Sequence, residues 1–428
     1  MKIRVQTVAM WQRHLYAEAD PGGMQHVANE PIGERIMTRR KLRGLSIRRA
    51  AELADMSAST WSRIENGLRG ADNLQILASM SMVLRCSVMD LIGDGYVSLT
   101  SDGVGLVDDV HDILAALIET ALEDEATADP AALDYLNAEA DLLEELYRRG
   151  DFTGTAARLA PFLRRLHATA VTATDTTIAT RTRELTVQAA HRTMNVMRST
   201  GQRADTYLAG ERARDAAAEL DDLSLKGIAA FTRAHAALSC GSMERGHKFA
   251  AAGLRMLDGN LDDNRTMAVA GQLHLTSAMT LYGLKRESDA ETHLAEAENL
   301  AARTGDCGQE LGWFGPTNLA FWMVAMEVDR DPRQAIAIAN TTNPRAIDAP
   351  TRQASFYLDA ARACARIGTR DSDRAAIRMI ASAEHVAPQR IRFNPLAREV
   401  LRIVVRRTKE NAIDPQLRGL CERIGVKA

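Results

Sequence analysis

The sequence predicts an all-α protein in two parts, a small basic unit of five helices followed by a long array of helix pairs. Three observations carry this. Aromatic residues are only 4% of the chain while alanine and leucine dominate, and strands draw on β-branched and aromatic side chains instead. Residues 31–92 alternate capping residues with apolar stripes of helical period. Beyond them, glycine turn signals at Gly150, Gly201, Gly241, Gly283 and Gly368 lie 51, 40, 42 and 85 residues apart, the last about twice 42, which suggests a repeat of roughly 40. With 428 residues, the chain also exceeds what one compact core accommodates.

Residues 1–30 read as a flexible leader containing Pro21-Gly22-Gly23, and Gln12, Arg13 and His14 interrupt any signal-like apolar segment. The basic unit spans 31–93. Pro31 opens its first helix, whose stripe is Ile32, Ile36 and Leu42, ending near Gly44. Ser46 is placed to cap a second helix over 47–54, and Ser57 a third that ends at Asn66-Gly67. A fourth helix over about 73–84 and a short fifth over 88–92 complete it. Residues 94–106 are rich in glycine and aspartate and read as a linker.

The segment from Ile32-Gly-Glu-Arg-Ile through Arg39-Arg-Lys-Leu-Arg-Gly-Leu-Ser-Ile47 resembles the start of XRE (phage-repressor type) helix-turn-helix domains. So does Ala51-Glu-Leu-Ala-Asp-Met-Ser-Ala-Ser-Thr-Trp-Ser-Arg-Ile-Glu-Asn-Gly67, as do the apolar positions from Leu74 to Leu91. The resemblance implies sequence-specific binding of double-stranded DNA at a palindromic operator, with the third helix entering the major groove. On this third helix Ser57, Ser59, Thr60, Ser62 and Arg63 are candidate contacts, and Arg63 suits bidentate reading of guanine. Ser46, Arg48, Asn66 and Arg69 are placed for phosphates. The family also implies a structural pair, Arg40 with Glu65. Trp61 and Ile64 face the core by helical spacing. Where members often carry Gln, this chain has Ile47 and Ala58, which make only apolar contacts.

Residues 107–428 are expected to form an α-solenoid that resembles degenerate tetratricopeptide repeats. Around His274–Ala301, small Ala278, Ala290 and Ala297 alternate with bulky Leu281 and Leu294. Such arrays resemble the sensor domains that follow XRE units in actinobacterial regulators and in peptide-sensing regulators of Gram-positive bacteria. The runs Trp313–Asn318 and Phe393–Arg398 look like signatures of the actinobacterial group. Aromatics are scarce, so Trp313, Phe314 and Trp322, with Asn318 and His274, are the candidate effector-binding residues; core packing is the plainer reading of the aromatics.

Charge is unevenly spread. Residues 31–70 hold nine basic and four acidic residues, residues 101–150 two and fourteen, and residues 390–428 ten and four. The basic first unit fits a polyanionic partner. The acidic stretch and the basic end could pair within a chain or across a dimer, although solvated faces are the commoner explanation. Five scattered cysteines form no Cys-x-x-Cys, which argues against a disulfide framework or a zinc site and for a reducing cytosol. No phosphate loop or His-Glu-x-x-His occurs, and Asp258–Asp262 lacks the glycine and closing glutamate of a calcium loop. The expectation is therefore a non-enzymatic regulator with no cofactor and no metal. It would be cytoplasmic and nucleoid-associated, without a membrane span, homodimeric through the solenoid, and responsive to a peptide or small-molecule effector. The alternative is an interaction scaffold whose solenoid docks a protein partner.

Overall fold

The computed structural model describes residues 30–69, 74–86, 88–92, 101–121, 123–200, 205–307, 313–408 and 415–427. The leader expected over residues 1–30 lies outside them, Glu30 excepted, and so does the first part of the expected linker. Among the described residues the chain is all-α, with one isolated backbone bridge between Cys307 and Phe314. No helix among them is long and apolar enough to cross a membrane.

The N-terminal unit is α1 (Ile32–Leu42), α2 (Ile47–Leu53), α3 (Ala58–Glu65), α4 (Leu74–Leu84) and α5 (Val88–Ile92). Ser46 Oγ accepts from Arg49 N–H and Ser57 Oγ from Thr60 N–H, so the two serines start α2 and α3 by meeting donors that helix geometry leaves open. Ile36, Trp61, Ile64, Leu77 and Leu91 close one small apolar core. Gly33 lets α1 rest on α3, because a Cβ there would lie 2.4 Å from the Ile64 carbonyl oxygen.

The next helix, α6 (Ser101–Glu119), begins inside the stretch expected as linker over 94–106. Two internal glycines cost about 1 kcal/mol each in a helix. Leu106, Val110, Ile113 and Leu117 nevertheless form a fully helical stripe that is buried in the solenoid's first apolar cluster. That burial outweighs the local propensity.

The solenoid continues with α7 (Leu133–Arg149), α8 (Phe152–Thr172), α9 (Thr176–Thr200), α10 (Thr206–Ala218), α11 (Leu223–Ser239) and α12 (Met243–Leu257). It proceeds through α13 (Asn264–Gly283), α14 (Glu287–Thr304), α15 (Pro316–Arg330), α16 (Pro332–Thr341) and α17 (Pro350–Ile367). It ends with α18 (Arg370–Val386), α19 (Pro388–Arg392), α20 (Pro395–Arg407) and α21 (Pro415–Ile424). Pro316 occupies the first turn of α15, where no backbone N–H is needed.

Buried hydrogen bonds expose the repeat directly. His191 meets Thr232, His235 meets Thr276, and the Gln272 amide donates to the Trp313 carbonyl, each across 41 residues. Ser224 meets Thr266 across 42. The period of about 40 suggested by the glycines is thus the spacing of equivalent positions on α9, α11, α13 and the segment just before α15. Phe314 is fully buried against Gly271, where a Cβ would lie 1.9 Å from the ring.

The array curls until its ends meet. Arg148 of α7 pairs with Asp348 at 2.7 Å, and Gln389 Oε1 accepts from the Phe152 backbone N–H at 2.8 Å, across 237 residues. The N-terminal unit is held by both arms of this curl. Lys285, in the α13–α14 turn, pairs with Asp55, Leu396 packs on the five-helix core, and Arg406 of α20 donates to the Gly67 carbonyl. Among the acidic residues of 101–150, Glu119, Glu139 and Glu144 pair with Arg164, Arg158 and Arg192 on α8 and α9. Antiparallel neighbours bring these groups together before the distant basic end can.

Candidate nucleic-acid interface and effector cavity

The predicted DNA contacts are exposed or half-buried on the N-terminal unit. Ser57, Ser59 and Arg63 are exposed on α3, with Thr60 and Ser62 half-buried beside them. Ser46 and Arg48 are exposed at the start of α2, and Asn66 and Arg69 just after α3. Their local bonds separate two kinds of residue. Ser46 and Ser57 spend their oxygens as caps, so they direct backbone N–H groups rather than reach outward themselves. Asn66 Nδ2 donates back to the Ser62 carbonyl at 2.7 Å, and Arg69 reaches Thr60 Oγ1 at 3.4 Å. Arg63 makes no such internal bond among the described contacts and is exposed on α3. Arg406, from the far end of the chain, adds an exposed cation at Gly67, which the sequence did not assign to this surface.

Beneath this surface lies the pair that the sequence resemblance implied. Glu65 accepts from Arg40 Nε at 2.6 Å and from Arg40 Nη2 at 2.8 Å. Trp61 Nε1 donates to the same carboxylate at 2.5 Å, a third bond the sequence did not suggest. Arg40 is 8% exposed and Glu65 5%, so the fork is enclosed. The Glu65 hydrogen bond is the main cause that raises the Arg40 pKa further. A bidentate charged pair of this geometry fixes α1 against α3.

The solenoid curls around a cavity of about 790 Å³. Phe231, Phe321, Trp322 and Phe356 supply aromatic wall, and Val88 and Ile92 of the N-terminal unit close one side. Trp313 and Trp322, both expected in an effector site, line it. The other three candidates do not. Phe314 is consumed by packing on Gly271. Asn318 is fully buried one layer behind, where its Oδ1 accepts from Arg352. His274 sits two residues from the lining Gln272, which turns it onto another face of α13. There it meets His293 of α14, with the two Nδ1 atoms 2.9 Å apart.

The cavity is strongly basic. Six arginines and four carboxylates line it. Each carboxylate already has an arginine: Glu144 with Arg192, Asp348 with Arg148, Asp359 with Arg362, and Asp329 with Arg366. Burial, then the neighbouring Arg390, lowers the pKa of Arg198. The same two causes pull Arg352 down to about 10. Burial and the arginines beside it push His191 down to about 3, and His235 is likewise held well below its ordinary value. Arg198, Arg352 and Arg390 were missed in the sequence because they come from separate repeats, and nothing local marks them.

An exposed polar helix on a basic helical unit, carried by a solenoid that encloses a cavity, defines a DNA-binding class of architecture. Residues 31–88 match a family described as a helix-turn-helix domain, and this part of the chain is such a domain. No curated protein matches the chain. Among solved structures, it is similar to PlcR of Bacillus thuringiensis in complex with the peptide PapR7 and DNA. The TM-score is 0.32 at 12% identity, covering 83% of this chain and 99% of that one. It is also similar to the apo form of ComR from S. thermophilus, with a TM-score of 0.19 at 12% identity, covering 64% and 93%.

Proposed function

We propose that the chain is a sequence-specific transcription regulator of the XRE type, acting as a cytoplasmic homodimer on a palindromic operator. Its solenoid cavity would take a peptide or small-molecule effector, and it would act by binding rather than by catalysis. The observation that carries this reading is the shared wall: Val88 and Ile92 belong to the helix-turn-helix unit yet line the solenoid cavity. A ligand there touches both parts at once. Only a ligand with different contacts in two arrangements can shift their balance, and a shared wall supplies such contacts. Two surface ties, Lys285 with Asp55 and Arg406 with Gly67, hold the present arrangement from either side. Exposed pairs of this kind are weak, so they suit a contact that must release.

The test is a gel shift of the purified full chain on its own upstream DNA at several salt concentrations, with sedimentation to read the oligomer. A salt-sensitive, sequence-dependent shift by a dimer is expected. Equal binding to scrambled DNA, or no shift at any salt, overturns the regulator reading.

A further inference from the structure

We infer that Arg198, Arg352 and Arg390 form an anion site in the cavity wall that receives a carboxylate or phosphate group of the effector. The inference rests on the reading of the cavity as the effector site.

The three guanidinium groups have only neutral partners. Arg198 donates to Asn195 Oδ1 at 2.9 Å and lies 3.3 Å from His235 Nδ1. Arg352 donates to Asn318 Oδ1 at 2.5 Å, and Arg390 Nε to Ser355 Oγ at 2.9 Å. Every carboxylate on the cavity wall is committed to a different arginine. Asp359, which attracts Arg352, accepts from Arg362 at 2.7 Å. Tyr147 is the other group that favours charge on Arg198 and Arg352.

The arginines also act on one another. Arg390 disfavours charge on both Arg198 and Arg352, and Arg198 disfavours it on Arg352. Like charges gathered in an enclosed space raise the energy of the empty site, since each is partly stripped of water without a counter-charge. A guanidinium carries five donors in a rigid fork, and these three use one or two each. The remaining donors match the oxygens of a carboxylate or phosphate.

The surroundings agree. Arg198 and Arg352 are enclosed by protein yet only half-buried, because part of each faces the cavity. The Arg352 guanidinium stands 5.9 Å from the centre of the Trp322 ring. Trp322 and Gln272 line the cavity, with the indole N–H and the amide oxygen buried behind its surface. Together with the aromatic wall, the arginines suit a ligand with one anionic end and a flat apolar body.

The test uses the full chain and paired probes of one shape, indole-3-acetate and indole-3-acetamide, with phenyl phosphate as the phosphate arm. Affinities are read by calorimetry in the wild type, R198Q, R352Q and R390Q. The charged probe is expected to bind at least tenfold tighter than the amide, and to lose that advantage in each variant. Tighter binding of phenyl phosphate assigns the site to phosphate, and tighter binding of the acetate to carboxylate. If acid and amide bind equally and compete with each other, the anion site is overturned while the cavity stands as a ligand site. If no probe binds, the cavity reading falls with it. Should R352Q fail to fold, the half-buried Arg390 and the wild-type acid–amide comparison still decide.

Discussion

Replacing Glu65 tests how the helix-turn-helix unit is held together. The carboxylate accepts three bonds, at 2.6 and 2.8 Å from Arg40 and at 2.5 Å from the Trp61 indole. Glu65→Ala leaves the Arg40 charge enclosed with only the Leu45 carbonyl, 2.8 Å away, as a partner. Breaking a buried pair in this way costs about 3–5 kcal/mol. Glu65→Gln keeps the volume and one acceptor, so about 2–4 kcal/mol is expected by the same reasoning. The double replacement Arg40→Met with Glu65→Leu removes both charges, orphans the Trp61 N–H and takes the Arg40 donor from the part-buried Leu45 carbonyl, a loss of about 1–3 kcal/mol. Hydrogen exchange at the α3 amides of the full chain reads the opening energy of this unit apart from the solenoid. A loss under about 1 kcal/mol in Glu65→Ala, or a double variant worse than the single, would refute the argument, since an enclosed unpaired cation must cost more than its removal.

Other consequences are as direct. Arg63→Ala should weaken specific operator binding by about 1–3 kcal/mol, read by titration at fixed salt, and unchanged affinity would remove Arg63 from the contact surface. Gly271→Ala places a Cβ 1.9 Å from the Phe314 ring, which is fully buried and cannot swing away. A loss of about 1–3 kcal/mol is expected in denaturant melts, and a neutral result would mean that α13 and the Phe314 segment are not tightly apposed. His191 and His274 are held down to about 3 and about 4, chiefly by burial. The unfolded chain takes up these protons near pH 6.5 and the folded chain does not, so stability is full above that pH and declines as pH falls toward 4. A thermal midpoint that stays flat from pH 7.5 to about 4.5 would contradict the burial of both rings.

Much of the fold was legible in the sequence because its signals are local. Ser46 and Ser57 cap the helices they were expected to cap, and Trp61 and Ile64 are in the core by spacing alone. The glycine interval of about 40 matches the 41-residue register of the buried bonds between repeats. The expected linker was misjudged in its second half, since two glycines signal a turn locally while the stripe from Leu106 to Leu117 finds its burial only in the folded array. The aromatic run was half informative. Trp313 and Trp322 line the cavity while Phe314 is core, and nothing in a single sequence tells a wall from the layer behind it.

The sequence by itself determined what each segment is: a basic helix-turn-helix unit, then helix pairs with a period of about 40. Caps, stripes and turns act over a few residues, so they can be read without a partner. Only the tertiary structure decided what the segments enclose. Arg198, Arg352 and Arg390 share a cavity because the solenoid curls until Gln389 meets Phe152. Val88 and Ile92 join that wall because both arms of the curl grip the first unit. Such meetings depend on small rotations accumulated from repeat to repeat, and no local pattern encodes their sum.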